Sequence, residues 1–283
     1  MKAHRHAKPF PGPKLYQQRA EVALPLLVRQ AFAQHDVTYQ DLAREMGMAN
    51  HRNLNYVLGS VGFALVKLGR KWGEKIPPIQ TLVVNKKTRL PGSGGRWFAA
   101  GARHQQLDPA ALKLVILERH AAVFKYPKWR DVLRHFNLPE VETAFADLHE
   151  RAAKSGRGGP ESQRHIDLKN EIAQKPWLAG LKFPPGGTVE RPIPSGDELD
   201  VCFESNDALA GVEVKSLTSD EADLARGLYQ AVKYEAVLTK WVAFQRKRQL
   251  VSVVLVVEGT LPNRLLALRN ALGVRVVELK RVR

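Results

Sequence analysis

The spacing of apolar residues predicts three helices in the first quarter of the chain. One is expected over residues 15–34, where Pro25 either kinks the helix or marks a boundary. A short amphipathic helix is predicted over residues 38–47, and a longer one over residues 50–73. Two helices joined by a short turn in this way are typical of a helix-turn-helix.

The next segment, residues 77–95, combines a short apolar run, Leu82–Val84, with a basic turn and a glycine-rich exit. This pattern predicts a strand followed by a wing, and together with the preceding helices it resembles a winged-helix DNA-binding domain. The Thr-Tyr-x-Asp-Leu-Ala opening at position 38 and the Val-Val-Asn turn at 83–85 are also similar to the DNA-binding domain of alkylguanine-DNA alkyltransferases. The acceptor-cysteine motif of those proteins is absent, so no alkyl transfer is implied.

The predicted DNA contacts follow from the winged-helix pattern. Polar residues at the start of the second helix would meet the major groove, where arginine can bind guanine and asparagine adenine, and basic residues of the wing would contact phosphates. The groove candidates are His51, Arg52, Asn53 and Asn55, and the phosphate candidates are Lys86, Lys87 and Arg89. The alternative is a solvated helix start and a charged turn, since basic winged helices also mediate protein contacts.

Residues 101–154 are predicted to be helical and to bridge two domains, with the first bridge helix starting at Asp108. The segment 155–160, rich in glycine, is the clearest linker. The predicted organisation is therefore a DNA-binding region at 1–100 with a basic N-terminal arm, then the bridge, then an α/β domain at 155–283.

In that last region, apolar and polar residues alternate over residues 199–204 and 212–217, which predicts two short strands. The turn-prone segment between them favours a hairpin, and a helix follows it. The continuous apolar run at 250–259 is typical of a strand buried on both faces. A helix at 262–272 and a strand at 273–280 complete a mixed α/β sandwich.

Charged residues on the hairpin form a candidate metal site. One face can carry Asp200, Glu213 and Lys215, because side chains at i and i+2 lie about 7 Å apart on the same face. Mg²⁺ usually takes one or two carboxylates and completes its octahedron with water and substrate phosphate. A lysine beside such a site can orient the attacking water or stabilise charge on the phosphate. The alternative is a solvated ladder of charges on a half-exposed strand.

The helix after the hairpin adds two polar residues. Thr218 and Glu221 form a possible capping box at its start. Gln230 and Tyr234 lie one turn apart, so a helix packed on the hairpin could direct both toward the metal site. An exposed glutamine beside a tyrosine at the edge of the core is the alternative interpretation.

The order Asp200, then Glu-Val-Lys from Glu213, then Gln-x-x-x-Tyr from Gln230 resembles the PD-(D/E)XK nuclease superfamily, and the last motif resembles its exonuclease-like and recombination-nuclease branches. No proline precedes Asp200, which departs from the signature. The resemblance implies that Asp200 and Glu213 hold Mg²⁺, with Mn²⁺ as a candidate substitute. It also implies that Lys215 activates water and that Gln230 and Tyr234 position substrate or metal.

The superfamily also has an acid on a helix before the first strand. Glu161 is the candidate for this third metal ligand, with Glu171 as its competitor. A glutamate in a first turn can instead be favoured by the helix dipole alone. His165 lies one turn after Glu161, where it could donate a hydrogen bond to a DNA phosphate, although a lone histidine is more often a surface residue.

Charge and composition favour nucleic acid as the partner. The 283 residues carry a net charge of +16, and residues 1–100 contain 16 Lys and Arg against 5 Asp and Glu.

No apolar run is long enough to span a membrane and the basic start lacks the apolar segment of a secretory signal, so a cytoplasmic location is expected. The only cysteine, Cys202, can form no intramolecular disulfide and is expected to be a small core or near-site residue.

These features predict a Mg²⁺-dependent endonuclease that acts on double-stranded DNA, with restriction or anti-phage defence suggested by analogy alone. The alternatives are an exonuclease or junction-processing nuclease, and a DNA-binding regulator with an inactive nuclease-like domain. Because cleavage of both strands needs two active sites, a homodimer is possible.

Overall fold

The computed structural model describes residues 7–141, 145, 148, 150, 152–153 and 162–280. The chain forms two compact units, Met1–Thr143 and Ala144–Arg283. The first is mostly helical, and the second is built on a five-stranded mixed sheet packed with helices. The α/β class with a mostly helical N-terminal region is thus confirmed. In the described part of the chain, no helix is both long enough and apolar enough to cross a membrane.

The helices of the first unit follow the predicted apolar pattern. Its elements are α1 (Leu15–Ala33), β1 (Val37–Thr38), α2 (Tyr39–Glu45), α3 (Leu54–Trp72), β2 (Val83–Val84), α4 (Ser93–Ala100), α5 (Pro109–Lys125) and α6 (Trp129–His135). Thr38 and Asp108 cap α2 and α5 with their side chains, which satisfies backbone N–H groups at the helix starts. Pro25 lies buried inside α1, and the helix continues past it.

The helices α5 and α6 pack into the first unit, which differs from the separate bridge expected at 101–154. Val123 and Trp129 are fully buried in the core that α1 and α3 also form. The indole of Trp129 donates a hydrogen bond to the carbonyl of Val123 at 2.8 Å. Apolar contact therefore joins these helices to the first unit. Most of the last helix predicted for the bridge, 141–152, lies outside the described residues.

The segment after α3 differs from the expected wing. β2 pairs in parallel with β1, and no second strand follows it in the described residues 85–92. A turn forms at Asn85, whose side chain accepts a hydrogen bond from the backbone N–H of Lys87 at 2.9 Å. The glycine-rich exit, expected as part of the wing, instead begins α4. Phe98 of α4 packs edge-on against Phe63 of α3, and this contact holds the helix in place.

The second unit carries the sheet. Its described helices and strands are α7 (Gln163–Gln174), β3 (Thr188–Pro192), β4 (Glu198–Glu204), β5 (Ala208–Lys215), α8 (Glu221–Phe244), β6 (Leu250–Glu258), α9 (Leu266–Leu272) and β7 (Arg275–Leu279). The strand order is β3-β4-β5-β6-β7. β3, β4 and β5 are antiparallel neighbours, whereas β5, β6 and β7 run parallel. The predicted hairpin and the two later strands are confirmed; β3 was not predicted, because it is a short, partly exposed edge strand.

Helices cover both faces of this sheet. Ile172 of α7 belongs to one apolar cluster with Val212 and Val214 of β5. Leu228 of α8 belongs to another with Leu255 of β6. Successive side chains of a strand point to opposite faces, so the charged residues that alternate with the two valines of β5 face α8.

The helix α8 begins at a different cap from the one predicted. Asp220 is the N-cap, and its side chain accepts a hydrogen bond from the backbone N–H of Asp223 at 2.8 Å. The capping box predicted from Thr218 and Glu221 is wrong, since the Thr218 hydroxyl lies 2.8 Å from the hydroxyl of Ser216 instead. An aspartate caps a helix at least as well as a threonine, and it stands immediately before the first helical residue.

The cysteine of the chain lies inside β4. Cys202 is buried, and Arg191 of β3 donates a hydrogen bond to its Sγ at 3.3 Å. Burial raises the pKa of the thiol, although Arg191 opposes this. The thiol is therefore held protonated within the pair of strands at one edge of the sheet.

Candidate active site

Asp200 lies where the two strands of the hairpin separate. The β4–β5 pairing extends to Val201 opposite Val212. Beyond that pair, the backbone N–H of Val214 donates to Oδ2 of Asp200 at 2.6 Å. The carboxylate thus replaces a backbone acceptor, and β5 itself holds Asp200 in place. We call this point the strand fork.

Glu213 is a buried carboxylate beside the strand fork. The residue is 3% exposed, and its Oε1 lies 3.1 Å from Nζ of Lys215. Burial, followed by the negative charge of Asp200, raises the pKa of Glu213 to about 8, although Lys215 and Arg226 oppose the shift. An acid perturbed this strongly beside a second carboxylate is more typical of a functional site than of a solvated ladder of charges.

Two carboxylates share the ammonium of Lys215. Besides its contact with Glu213, Nζ donates a hydrogen bond to Oδ1 of Asp223 at 2.9 Å, in the first turn of α8. Burial alone would lower the pKa of Lys215, but the charges of Glu213 and Asp223 outweigh burial and raise it. Burial likewise opposes the shift at Asp223, whose pKa is lowered by Lys215. Lys215 is therefore a fixed cation between β5 and α8.

One face of α8 carries polar residues toward this site. Its members follow the i, i+4, i+7, i+11 spacing of a helix face and are Asp223, Gly227, Gln230 and Tyr234. Gln230 Nε2 donates a hydrogen bond to the hydroxyl of Tyr234 at 3.0 Å. Burial, followed by the charge of Glu213, raises the pKa of Tyr234. Gln230 and Tyr234 therefore lie on the face of α8 that also contacts Lys215.

Gly227 allows α8 to approach β5 closely. A Cβ at this position would lie 2.8 Å from Cε of Lys215 and 3.0 Å from Cδ1 of Leu255. Carbon atoms in contact prefer separations of about 3.5–4.0 Å, so any side chain here would displace Lys215 or the helix. The aliphatic stem of Lys215 consequently lies against the helix backbone.

The helix α7 brings a histidine to the strand fork. It begins at Gln163 after the N-cap Ser162, whose hydroxyl accepts a hydrogen bond from the backbone N–H of His165 at 3.3 Å. Nε2 of His165 lies 3.6 Å from Oδ1 of Asp200, and the imidazole side chain is 13% exposed. His165 thus borders the carboxylate that the sequence assigns to metal binding, and part of its surface is open to solvent.

The donor set at the strand fork suits Mg²⁺, although it is small. Glu161 lies outside the described residues, and its competitor Glu171 accepts a hydrogen bond from Lys175 at 3.2 Å. Within the described ranges, no group of three or more His, Cys, Asp or Glu side chains is arranged to hold a metal ion. Asp200 and Glu213 still provide hard oxygen donors, and Mg²⁺ usually takes only one or two protein carboxylates. A dication there would offset both the burial and the repulsion from Asp200 that raise the pKa of Glu213.

The residues predicted to meet a DNA groove lie mostly in the turn before α3. His51, Arg52 and Asn53 are exposed and precede the helix, with Asn53 at the N-cap position. Asn55, which is partly buried, lies in the first turn. Of the four candidates, Asn55 alone is therefore on the helix that was expected to carry them all.

A cavity of about 380 Å³ lies beside this turn. Its lining includes Tyr39, Arg52, Asn55 and Gln80. Among the described residues, Oδ1 of Asn55 and both polar atoms of the Gln80 amide are buried without a hydrogen-bond partner. Unpaired buried amide groups are costly and favour a polar partner. The sequence pattern did not predict this cavity, because it depends on side chains from three separate segments.

The basic residues after β2 differ among themselves. Lys86 and Lys87 are exposed. Arg89 has a left-handed backbone conformation, with φ of 52°, and forms an ion pair with Asp36. Its charge is therefore partly neutralised, and the two lysines are the better candidates for phosphate contacts.

No family model, curated protein or solved structure matches this chain.

Sequence reasoning missed two contributors to the site, Asp223 and Gly227. The available signal was their helical spacing to Gln230 and Tyr234. From that spacing, one face of α8 could have been predicted to be polar and to contain a glycine. The face that a helix turns toward the core is normally apolar.

Proposed function

We propose that this chain is a Mg²⁺-dependent DNA endonuclease whose active site lies in the second unit. The observation that carries the proposal is the buried carboxylate of Glu213, which lies 3.1 Å from the ammonium of Lys215 and whose pKa is raised by burial and by the charge of Asp200 at the strand fork. A perturbed acid, a second carboxylate and a fixed cation are the groups that metal-assisted phosphodiester hydrolysis requires. The order of these residues along the chain, which resembles PD-(D/E)XK nucleases, supports the same assignment.

Each central residue has a proposed role. Asp200 and Glu213 would hold Mg²⁺ or Mn²⁺, which when bound lowers the pKa of a coordinated water and offsets charge on the phosphate. Lys215 orients the attacking water or stabilises the negative charge that develops on the phosphate. Tyr234, fixed by its hydrogen bond from Gln230, lies close enough to Glu213 and Asp200 to be affected by their charges, and it positions the substrate.

Two further residues complete the proposal. Glu161 is the candidate third ligand, on sequence grounds. His165 would donate a hydrogen bond to a phosphate near Asp200, because its imidazole lies beside that carboxylate and is partly exposed.

Double-stranded DNA is the proposed substrate, on account of the net charge of +16. In the first unit, Lys86 and Lys87 would contact phosphates, and Arg52 would meet the bases from the exposed turn. The unpaired Oδ1 of Asn55 and the unpaired amide of Gln80 supply hydrogen-bond acceptors and a donor beside that turn. A role in restriction or anti-phage defence is an analogy, and a homodimer would provide the two active sites that duplex cleavage needs.

Digestion of several DNA forms with divalent metals varied tests the proposed function. Circular duplex, linear duplex and single-stranded DNA are incubated with Mg²⁺, Mn²⁺ or EDTA. Cleavage of circular DNA with Mg²⁺ and none with EDTA is expected. Activity confined to linear DNA would instead favour an exonuclease, as the Gln230–Tyr234 pair also suggests. Failure to cut any substrate would favour a DNA-binding regulator and would overturn the enzyme proposal.

Replacing Arg52, Lys86 and Lys87 with alanine is expected to weaken DNA binding and to flatten its salt dependence. Each lost phosphate contact lowers the slope of log affinity against log salt by about 0.9 for duplex DNA. Adding Arg89→Ala should change little more, because Arg89 already pairs with Asp36. Fluorescence anisotropy over a salt series measures the slope, with Ca²⁺ in place of Mg²⁺ to prevent cleavage.

The control for that experiment is Lys113→Ala, which removes an exposed charge from α5. It should leave the slope near the wild-type value. At saturating DNA the triple variant should cut at a near wild-type single-turnover rate, since the strand fork is unchanged. An unaltered affinity and slope in the triple variant would reject this surface as the main DNA anchor.

A further inference from the structure

We propose that Asp223 is a positioning residue, which shares the ammonium of Lys215 with Glu213 and so prevents the lysine from pairing with Glu213 alone, leaving that carboxylate more available to a metal ion. The inference rests on the nuclease function proposed above and adds a residue that the sequence motif does not contain. Its basis is the arrangement of two carboxylates around one buried ammonium, on two different elements of the fold.

The contacts of Lys215 define the geometry. Nζ lies 2.9 Å from Oδ1 of Asp223 on α8 and 3.1 Å from Oε1 of Glu213 on β5. The lysine side chain is 4% exposed, so water contributes little to its solvation. An ammonium has three N–H donors, and carboxylates from two elements fix the directions of two of them. The remaining donor is then restricted to one orientation.

Gly227 restrains the rest of the same side chain. A Cβ on Gly227 would lie 2.8 Å from Cε and 3.2 Å from Cγ of Lys215. The stem therefore packs on the backbone of α8, one turn beyond the carboxylate of Asp223. The helix thus holds Lys215 at its stem and at its charged end.

A comparison within the first turn of α8 separates this role from ordinary helix stabilisation. Asp223 and Glu221 both lie in that turn, where an acid is favoured by the helix dipole. Glu221 makes an ion pair with the exposed Arg264 at 3.6 Å. Asp223 instead reaches the buried Lys215. Any acid in this turn would suit the dipole, but Asp223 is the one of the two that contacts the candidate site.

Loss of Asp223 has a defined consequence for Glu213. Without the second carboxylate, the ammonium of Lys215 would pair with Glu213 alone. Oε1 of Glu213 would then be more strongly occupied by the lysine and less available as a metal ligand. Asp223 therefore influences Glu213 through Lys215 and need not contact DNA itself.

The test compares Asp223→Asn with Glu221→Gln, a matched neutralisation in the same turn. Asp223→Asn is expected to lower the single-turnover rate about 10- to 100-fold, the scale of a misplaced catalytic group, with DNA affinity in Ca²⁺ unchanged. It should also raise the Mg²⁺ concentration needed for half-maximal rate. Glu221→Gln should behave as wild type. A wild-type rate and Mg²⁺ requirement in Asp223→Asn would overturn the proposal.

A second measurement needs no activity. Chemical unfolding in EDTA is followed for wild type, Asp223→Asn, Lys215→Met and the double variant. If Asp223 holds Lys215, the destabilisation by Asp223→Asn should largely disappear in the Lys215→Met background. If the losses of stability in Asp223→Asn and Lys215→Met simply add in the double variant, Asp223 does not hold Lys215 in place. Should the wild type cut no DNA, the nuclease proposal fails, while this unfolding cycle still decides whether the two residues are coupled.

Discussion

Replacement of Glu213 with glutamine is expected to abolish cleavage and, in the absence of metal, to raise the stability of the protein at alkaline pH. Glutamine keeps the shape of the side chain and can accept a hydrogen bond from Lys215, but it carries no charge for a metal ion. Since Glu213 is one of the two carboxylates at the strand fork, the single-turnover rate should fall to background. DNA affinity in Ca²⁺ should persist.

The stability effect follows from the burial of a charge. The pKa of Glu213 is raised relative to an unfolded glutamate, so the folded state binds this proton more tightly. The resulting stability is present below the pKa of this glutamate in the unfolded chain and is lost as the pH rises through its pKa in the folded protein. Its size is about 1.4 kcal/mol for each unit by which the two pKa values differ. Glutamine cannot ionise. Its advantage in melting temperature should therefore grow between about pH 5 and about pH 9.

Thermal unfolding of both proteins in EDTA at the two pH values measures this effect. Glu204→Gln is the control with the opposite sign, because Lys247, Gln249 and Arg191 lower the pKa of Glu204 to about 2. A lowered pKa means that ionised Glu204 stabilises the folded protein at every pH above the pKa of an unfolded glutamate. Glu204→Gln should therefore destabilise the protein at both pH values. A difference between wild type and Glu213→Gln that does not change with pH would contradict the buried ionisation.

Replacing Lys215 with methionine is expected to reduce the cleavage rate by at least about 10²-fold, the loss seen when one group that stabilises transition-state charge is removed. Methionine retains most of the stem that packs on Gly227, so the change isolates the charge. Mg²⁺ affinity should be retained or increased, because a cation that competes for Glu213 has been removed. Calorimetry with Mg²⁺ and single-turnover cleavage measure the two properties.

Lys169 provides a matched control for Lys215→Met. It is a second buried lysine of the same unit, and it donates a hydrogen bond to Glu190 at 2.7 Å. Lys215→Met should lose stability, because it leaves the buried carboxylate of Glu213 without its cation. The side chain of Glu190 is 57% exposed, so its carboxylate stays hydrated without Lys169. We expect the large rate loss in Lys215→Met alone. Equal rate losses in both variants, or lost Mg²⁺ affinity in Lys215→Met, would argue against the proposed role of Lys215.

The parts of the site that could be predicted are those fixed by short-range periodicity. A period of two places Glu213 and Lys215 on one face of a strand, and a period of 3.6 places Gln230 and Tyr234 on one face of a helix. The hairpin then follows from the short turn between its strands. These rules need no knowledge of distant contacts, which is why the second unit was the more predictable of the two.

The parts that could not be predicted depend on how elements meet. The contact of Asp223 with Lys215 requires the loop after β5 to end at the Asp220 cap, and nothing in the spacing of apolar residues indicates the course of that loop. The parallel pairing of β1 with β2 likewise joins strands that are two residues long, too short for any periodic signal. Gly227 becomes informative only once its neighbour Lys215 is known.

The buried thiol of Cys202 gives this protein an internal reporter. A thiol reagent can reach Sγ only when β4 separates from the apolar cluster that it shares with α8, so the labelling rate measures the population of open forms. A ligand that binds the closed form lowers that population by a factor of one plus its concentration divided by its Kd. Because Cys202 lies two residues from Asp200 on the same strand, titrating Mg²⁺ against the labelling rate would measure occupancy of the strand fork without DNA or an added probe.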